Sequence, residues 1–209
     1  MKLAHNVYLI LVLLFSSVAV NAESDPSGKR TLMVLGDSIS AAYGMKPEEG
    51  WVALLDKRLA TQNISTVNAS ISGETTAGGL ARLEALLAKY QPDWVIVELG
   101  GNDGLRGYPV NRMKANLAGI IEQSQSASAD VLLIGMQIPP NYGKRYTRMF
   151  SEAYPALAEQ YGITLVPTFL ESVAVKPDAM QEDGIHPNAS AQDQLLAVAW
   201  PEIQRMIQE

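Results

Sequence analysis

Apolar positions along the chain alternate between two rhythms. Short, nearly continuous runs at Thr31 to Leu35, Ile64 to Val67, Trp94 to Leu99, Val131 to Ile134 and Thr164 to Val166 have the composition of strands covered on both faces. Between them, apolar side chains recur every three or four residues. Val52, Leu55 and Leu59 do so within Trp51 to Gln62, Leu80, Leu83 and Leu87 within Gly79 to Tyr90, and Val110, Met113, Leu117 and Ile121 within Val110 to Gln125. Each spacing draws one stripe along a helix, and such stripes are core rather than ligand contacts. Tyr146 to Tyr161 and Ser190 to Gln208 predict two further helices, with a kink or break at Pro155 and Pro201. No repeat interrupts this strand-helix order after Arg30. It predicts an α/β fold: a five-stranded parallel sheet between helix layers, a three-layer α/β/α sandwich with right-handed crossovers. In that architecture ligands bind beyond the carboxyl ends of the strands, so the segments that follow each strand carry the functional question.

The N-terminal segment does not share the rhythm. Lys2 precedes an apolar run from Val7 to Phe15, then two serines, and Val20-Asn21-Ala22 offers small side chains for cleavage. A membrane-spanning helix needs about 20 consecutive apolar residues, more than this segment supplies. Residues 1–22 therefore read as a cleaved secretory signal peptide, 23–30 as a short polar lead-in and 31–209 as a single domain; the mature protein is expected in the periplasm or secreted, with no transmembrane segment.

Composition narrows the chemistry. With 209 residues, 47% of them hydrophobic and 18% charged, the chain is an ordinary globular protein large enough to build its own core. Loss of the leader removes Lys2 and His5, leaving 15 basic against 22 acidic side chains, net −7, which argues against a nucleic-acid partner. It also leaves His186 as the one histidine, and there is no cysteine at all. Thiol catalysis and a multi-histidine metal site are thereby excluded.

Four loops hold the candidate chemistry. Strand one runs into Gly36-Asp37-Ser38-Ile39-Ser40, where glycine permits a sharp turn and Ser38 begins a helical turn, though Asp37 or Ser38 would equally serve as a helix cap. Gly-x-Ser-x-Gly, the elbow of the α/β-hydrolases, is absent. Asn68 to Thr76 and Gly100-Gly101-Asn102-Asp103-Gly104 read as loops after strands two and three. Gly73 offers a backbone N–H and Asn102 a side-chain amide, two donors that could meet one developing oxyanion, although a capped helix entry and an Asn-Asp-Gly turn explain the same residues. Asp183-Gly184-Ile185-His186-Pro187 sets a carboxylate three residues before the histidine. That spacing allows one loop to present both, with Asp183 fixing the imidazole tautomer; the plain alternative is a turn with an exposed histidine.

Together these blocks, Gly36-Asp37-Ser38, Gly73, Gly100-x-Asn102-Asp103 and Asp183-x-x-His186, resemble in order and spacing the signature blocks of the SGNH (GDSL) hydrolases. The wording around them, including Pro139-Pro140-Asn141-Tyr142-Gly143, is similar to the family's exported bacterial thioesterases, arylesterases and lysophospholipases, and the likeness covers nearly all of Thr31 to Glu209. The resemblance implies the flavodoxin-like fold of that family and hydrolysis of acyl esters and thioesters through an acyl-enzyme. It implies Ser38 as nucleophile, His186 as general base and acid, Asp183 as its orienting carboxylate, and Ser38 N–H, Gly73 N–H and Asn102 as oxyanion hole. Asp37 and Asp103 organise the loops around them. No cofactor and no metal is expected, the partner is a small acyl ester, acyl thioester or lysophospholipid, and the protein is expected to be a monomer. Leu105, Ile138, Pro139, Pro140, Tyr142 and Met180 are the candidates for an acyl-binding surface, with Gln137 to Tyr146 a mobile border loop as in the resembling family.

Two other classes compete. A two-metal phosphoesterase places similar Gly-Asp and Gly-Asn loops after parallel strands but needs several histidines. A catalytically inactive binding module on the same fold is the alternative reading, since a fold does not by itself dictate a function.

Overall fold

The computed structural model describes residues 28–208. Five strands form one parallel sheet in the order β2-β1-β3-β4-β5, with β1 at Arg30–Gly36, β2 at Ile64–Asn68, β3 at Trp94–Glu98, β4 at Asp130–Ile134 and β5 at Thr164–Val166. The helices are α1 (Trp51–Leu59), α2 (Thr76–Tyr90), α3 (Gly101–Leu105), α4 (Val110–Ser126), α5 (Lys144–Tyr161), α6 (Glu171–Ala174) and α7 (Gln192–Gln208).

The two-residue period of the strands divides the core into two slabs. Leu32 and Val34 of β1, Trp94 and Ile96 of β3, and Leu132 and Ile134 of β4 face α1 and α7, where they meet Trp51, Leu55, Leu195 and Ile203. The alternate residues Met33, Leu35, Val95, Val97, Val131 and Leu133 face α2, α4 and α5, against Leu83, Leu117, Ile121, Phe150 and Leu157. Full burial of each such side chain contributes roughly 1.5–3 kcal/mol, which is why β1, β3 and β4 read as nearly continuous apolar runs, whereas the edge strand β2 carries Ser65 and Thr66 among its apolar residues. The sheet reverses its winding direction between β1 and β3, whose ends are in register with Gly36 opposite Glu98. A crevice opens at such a reversal, beyond the carboxyl ends of the two strands.

Several expectations change. Neither proline breaks its helix: α5 continues through Pro155 and α7 through Pro201. Both prolines lie on the solvent side, so the carbonyls they leave unpaired can be hydrated, while Phe150, Tyr154 and Leu157, and Leu196, Ala199 and Ile203, anchor the opposite faces in the core. That burial offsets the roughly 3 kcal/mol an internal proline costs. The segment after β3 is the short helix α3 rather than a turn, entered through Gly100 at φ 120°, a conformation that favours glycine. Helix α2 begins at Thr76, three residues ahead of the expected start at Gly79, because the Thr75 side chain accepts from Gly78 N–H and caps it. The expected signal peptide lies outside the described residues. Among those described, no helix is long and apolar enough to cross a membrane.

Candidate active site

The chain leaves β1 at Gly36 and turns at once. Asp37 C=O accepts the Ala41 N–H at 2.9 Å and Ser38 C=O accepts the Tyr43 N–H at 3.1 Å, so Ser38 begins a helical turn just beyond the carboxyl end of β1. Its hydroxyl lies 2.8 Å from His186 Nε2. His186 Nδ1 lies 2.6 Å from Asp183 Oδ2. A carboxylate has only acceptors to offer, so Nδ1 carries the proton and Nε2 is left to accept from the serine.

The loop that presents this pair is tied from three directions. Asp183 Oδ1 accepts the N–H groups of Ile185 and His186 at 2.9 and 3.0 Å, across Gly184 at φ 66°. An antiparallel bridge joins Met180 to Pro187. Gln181 Nε2 donates to Pro187 C=O and, at 2.8 Å, to Tyr43 C=O, which links the histidine loop to the serine turn. The Tyr43 ring lies against the imidazole, 4.5 Å between centroids. Asp183 is held down to about 2, first by the His186 N–H, then by its ring and by the Ile185 N–H; it stays an anion over the working pH range.

Asn102 and Gly73 approach from the neighbouring strand ends. Asn102 is the second residue of α3, and its Nδ2 donates to Asp37 Oδ2 at 3.0 Å, which fixes the amide with its other N–H uncommitted to Asp37. Gly73 has φ 79°, and Arg106 Nη2 donates to its carbonyl at 3.0 Å. The Ile71 N–H bonds to Gly36 C=O at 3.1 Å, so this loop runs beside the serine turn. Asp103 points away from the cleft: its two oxygens accept the Thr76 N–H at 2.9 Å and the Thr76 hydroxyl at 2.7 Å, joining α3 to the start of α2. Asp37 is pushed up to about 6 by burial, against the opposing pull of the Ile39 N–H, Asn102 and His186.

Ser38, Asn102 and His186 share one cavity of about 450 Å³. Of the proposed acyl contacts, Leu105, Ile138, Pro139 and Met180 line it, whereas Pro140 and Tyr142 do not. A 3₁₀ turn at Pro140–Tyr142 leaves Pro140 exposed and swings Tyr142 onto α3, where its hydroxyl donates to Leu105 C=O at 2.8 Å and its ring stacks on Tyr146. Gly73 is not part of the cavity wall and stands on the adjoining loop. Ile39, Met136, Leu170, Ala174 and Ile185 complete the apolar lining. The sequence offered little sign of them, since they lie in irregular segments or, for Ala174, in the four-residue helix α6, too short to show a period. Among the described residues no three His, Cys, Asp or Glu side chains converge as a metal site would require.

The family model of the "GDSL-like Lipase/Acylhydrolase family" matches residues 34–194. The chain is 49% identical over 198 residues to Esterase TesA of Pseudomonas aeruginosa, covering 94% of this chain and 98% of that protein. It is 47% identical over 189 residues to the Thioesterase 1/protease 1/lysophospholipase L1 of Escherichia coli K12, covering 90% and 86%. The psychrotrophic esterase EstA from Pseudoalteromonas, solved in a form inhibited by monoethylphosphonate, superposes with a TM-score of 0.82 at 43% identity, covering 87% of this chain and 100% of that one. The chain thus belongs to the GDSL-like lipase/acylhydrolase family, and it is a serine ester hydrolase of that family.

Proposed function

We propose that Ser38, His186 and Asp183 cleave acyl esters and thioesters through an acyl-enzyme. The observation that carries this reading is the continuous chain from Ser38 Oγ to His186 Nε2 at 2.8 Å and from His186 Nδ1 to Asp183 at 2.6 Å. His186 takes the serine proton as Oγ attacks the carbonyl carbon. The oxyanion is met by the Ser38 N–H and the second N–H of Asn102 from the cavity wall, and by the Gly73 N–H from the loop that runs beside the serine turn. The imidazolium then protonates the departing alcohol or thiol, and water repeats the sequence in reverse on the acyl-enzyme. Asp183, ionised throughout, holds the tautomer and balances the imidazolium charge.

The apolar lining, with Leu105, Ile138, Pro139, Leu170 and Met180, suits a hydrocarbon acyl chain. Small aryl esters, acyl thioesters and lysophospholipids all offer a single such chain next to a good or amphiphilic leaving group. The phosphonate that inhibits the Pseudoalteromonas relative resembles a tetrahedral acyl adduct, which supports the same chemistry here. The protein works outside the cytoplasm after loss of residues 1–22, and a mass measurement of the exported form should place its N-terminus near Glu23.

The test is kinetic. Ser38→Ala and His186→Gln should each abolish turnover of a p-nitrophenyl ester with the fold retained, because a small solvent-facing hydroxyl and a loop imidazole contribute more to chemistry than to packing. Wild-type turnover in either variant would refute the assignment of Ser38 as nucleophile or of His186 as its base.

A further inference from the structure

Glu98, the last residue of β3, sits directly behind the serine turn. It is fully buried. Its Oε2 accepts the Asp37 N–H at 3.2 Å and the Ser40 hydroxyl at 2.7 Å, so one carboxyl oxygen grips the chain on both sides of Ser38. Trp51 Nε1 donates to Ser40 Oγ at 3.2 Å, and Asn68 Nδ2 to Ser40 C=O at 2.8 Å, which anchors the far side of the same turn. The contact also accounts for Gly36: a Cβ there would stand 2.7 Å from Glu98 Oε2. The other oxygen, Oε1, is shielded from solvent and has no hydrogen-bond partner among the described residues. A buried carboxylate with a bare oxygen and a second carboxyl, Asp37, next to it would be far costlier than the neutral acid. Burial first, and then Asp37, pushes Glu98 well above the usual carboxylate range.

We infer that Glu98 is a positioning residue of the reaction, whose buried carboxyl clamps the Asp37–Ser40 turn and so sets the line of attack of Ser38. This rests on Ser38 being the nucleophile. Neutrality matters as well as geometry, because an anion at this point would add to the negative charge that develops in front of the same turn. The titratable groups that act on the Glu98–Asp37 pair are Asp103 of α3, Tyr154 of α5 and His186 of the loop before α7.

Glutamine keeps an acceptor for both donors and cannot ionise, whereas leucine removes the clamp. In Glu98→Leu, kcat for a p-nitrophenyl ester and the second-order rate of fluorophosphonate inactivation should fall together by about 30-fold or more, with KM nearly constant, as expected when a nucleophile is misplaced. Glu98→Gln should restore both rates to within about threefold of wild type and reproduce the wild-type pH profile, because the group it replaces carries no charge over that range. Ser40→Ala cuts the clamp from its other end and should slow both rates in parallel, which keeps the test open if Glu98→Leu does not fold. In the infrared, wild type should show a protonated-carboxyl band that Glu98→Gln lacks. A Glu98→Gln enzyme as slow as Glu98→Leu, wild-type rates in Glu98→Leu or in Ser40→Ala, or no such band would each overturn the inference. Failure of fluorophosphonate to inactivate the wild-type enzyme would instead strike at the nucleophile assignment itself.

Discussion

Removing the Asn102 side chain separates transition-state stabilisation from binding. Nδ2 has two N–H groups, one of them held by Asp37 Oδ2 at 3.0 Å. The bond to Asp37 orients the amide before substrate arrives, so the second N–H is available to the oxyanion without reorganisation. Asn102→Ala deletes that donor while the backbone N–H groups of Ser38 and Gly73 remain. One such donor is worth about 3 kcal/mol in the transition state, so kcat should fall roughly 100- to 200-fold at 1.36 kcal/mol per decade. KM should move by less than about threefold, since a neutral carbonyl gains little from the same bond. The variant also strips Asp37 of one of the groups that restrain it, so Asp37 should rise above its present value of about 6. Steady-state hydrolysis of a p-nitrophenyl ester, with circular dichroism to confirm the fold, reads the outcome. A kcat loss under about fivefold, or a loss expressed in KM alone, would show that Asn102 does not face the oxyanion.

Asp103→Ala should destabilise the protein by about 2–6 kcal/mol in urea unfolding, because the buried Thr76 N–H and hydroxyl would both lose their acceptor, at about 1–3 kcal/mol each; a change below about 1 kcal/mol would mean that α2 does not depend on this contact. Asp37, raised from 3.8 to about 6, binds its proton more tightly folded than unfolded, so it costs stability as pH rises from about 4 through 6 and costs nothing below that window. The stability of Asp37→Asn relative to wild type should therefore improve by up to about 3 kcal/mol between pH 4 and 7, and a pH-independent difference would contradict the assignment. Three hydrogen-bond donors polarise the carbonyl in the proposed mechanism, so EDTA should leave kcat unchanged; inactivation reversed by a divalent cation would contradict it.

The strands and most helices were legible because a sheet covered on both faces demands apolar side chains at nearly every strand position. The loops of the candidate site were legible for a different reason, since Ser38, Asn102, Asp183 and His186 occur in short blocks whose order matches a known family. Other features depended on tertiary context. Pro155 and Pro201 predict a kink or break, but with Phe150, Leu157 and Ile203 buried on the opposite faces both helices continue through them. Tyr142 lay in the right loop, but a 3₁₀ turn directs it away from the cavity. Glu98 passed as the end of an apolar strand, and its presence there, a charged residue type in an otherwise apolar run, was the signal that could have exposed it.

The central claim is that Ser38 carries the acyl group. Incubation with a fluorophosphonate, followed by proteolysis and peptide mass analysis, should place one adduct on Ser38 and none on Ser38→Ala, with loss of activity tracking occupancy. An adduct on another residue, or full activity with Ser38 labelled, would contradict the account.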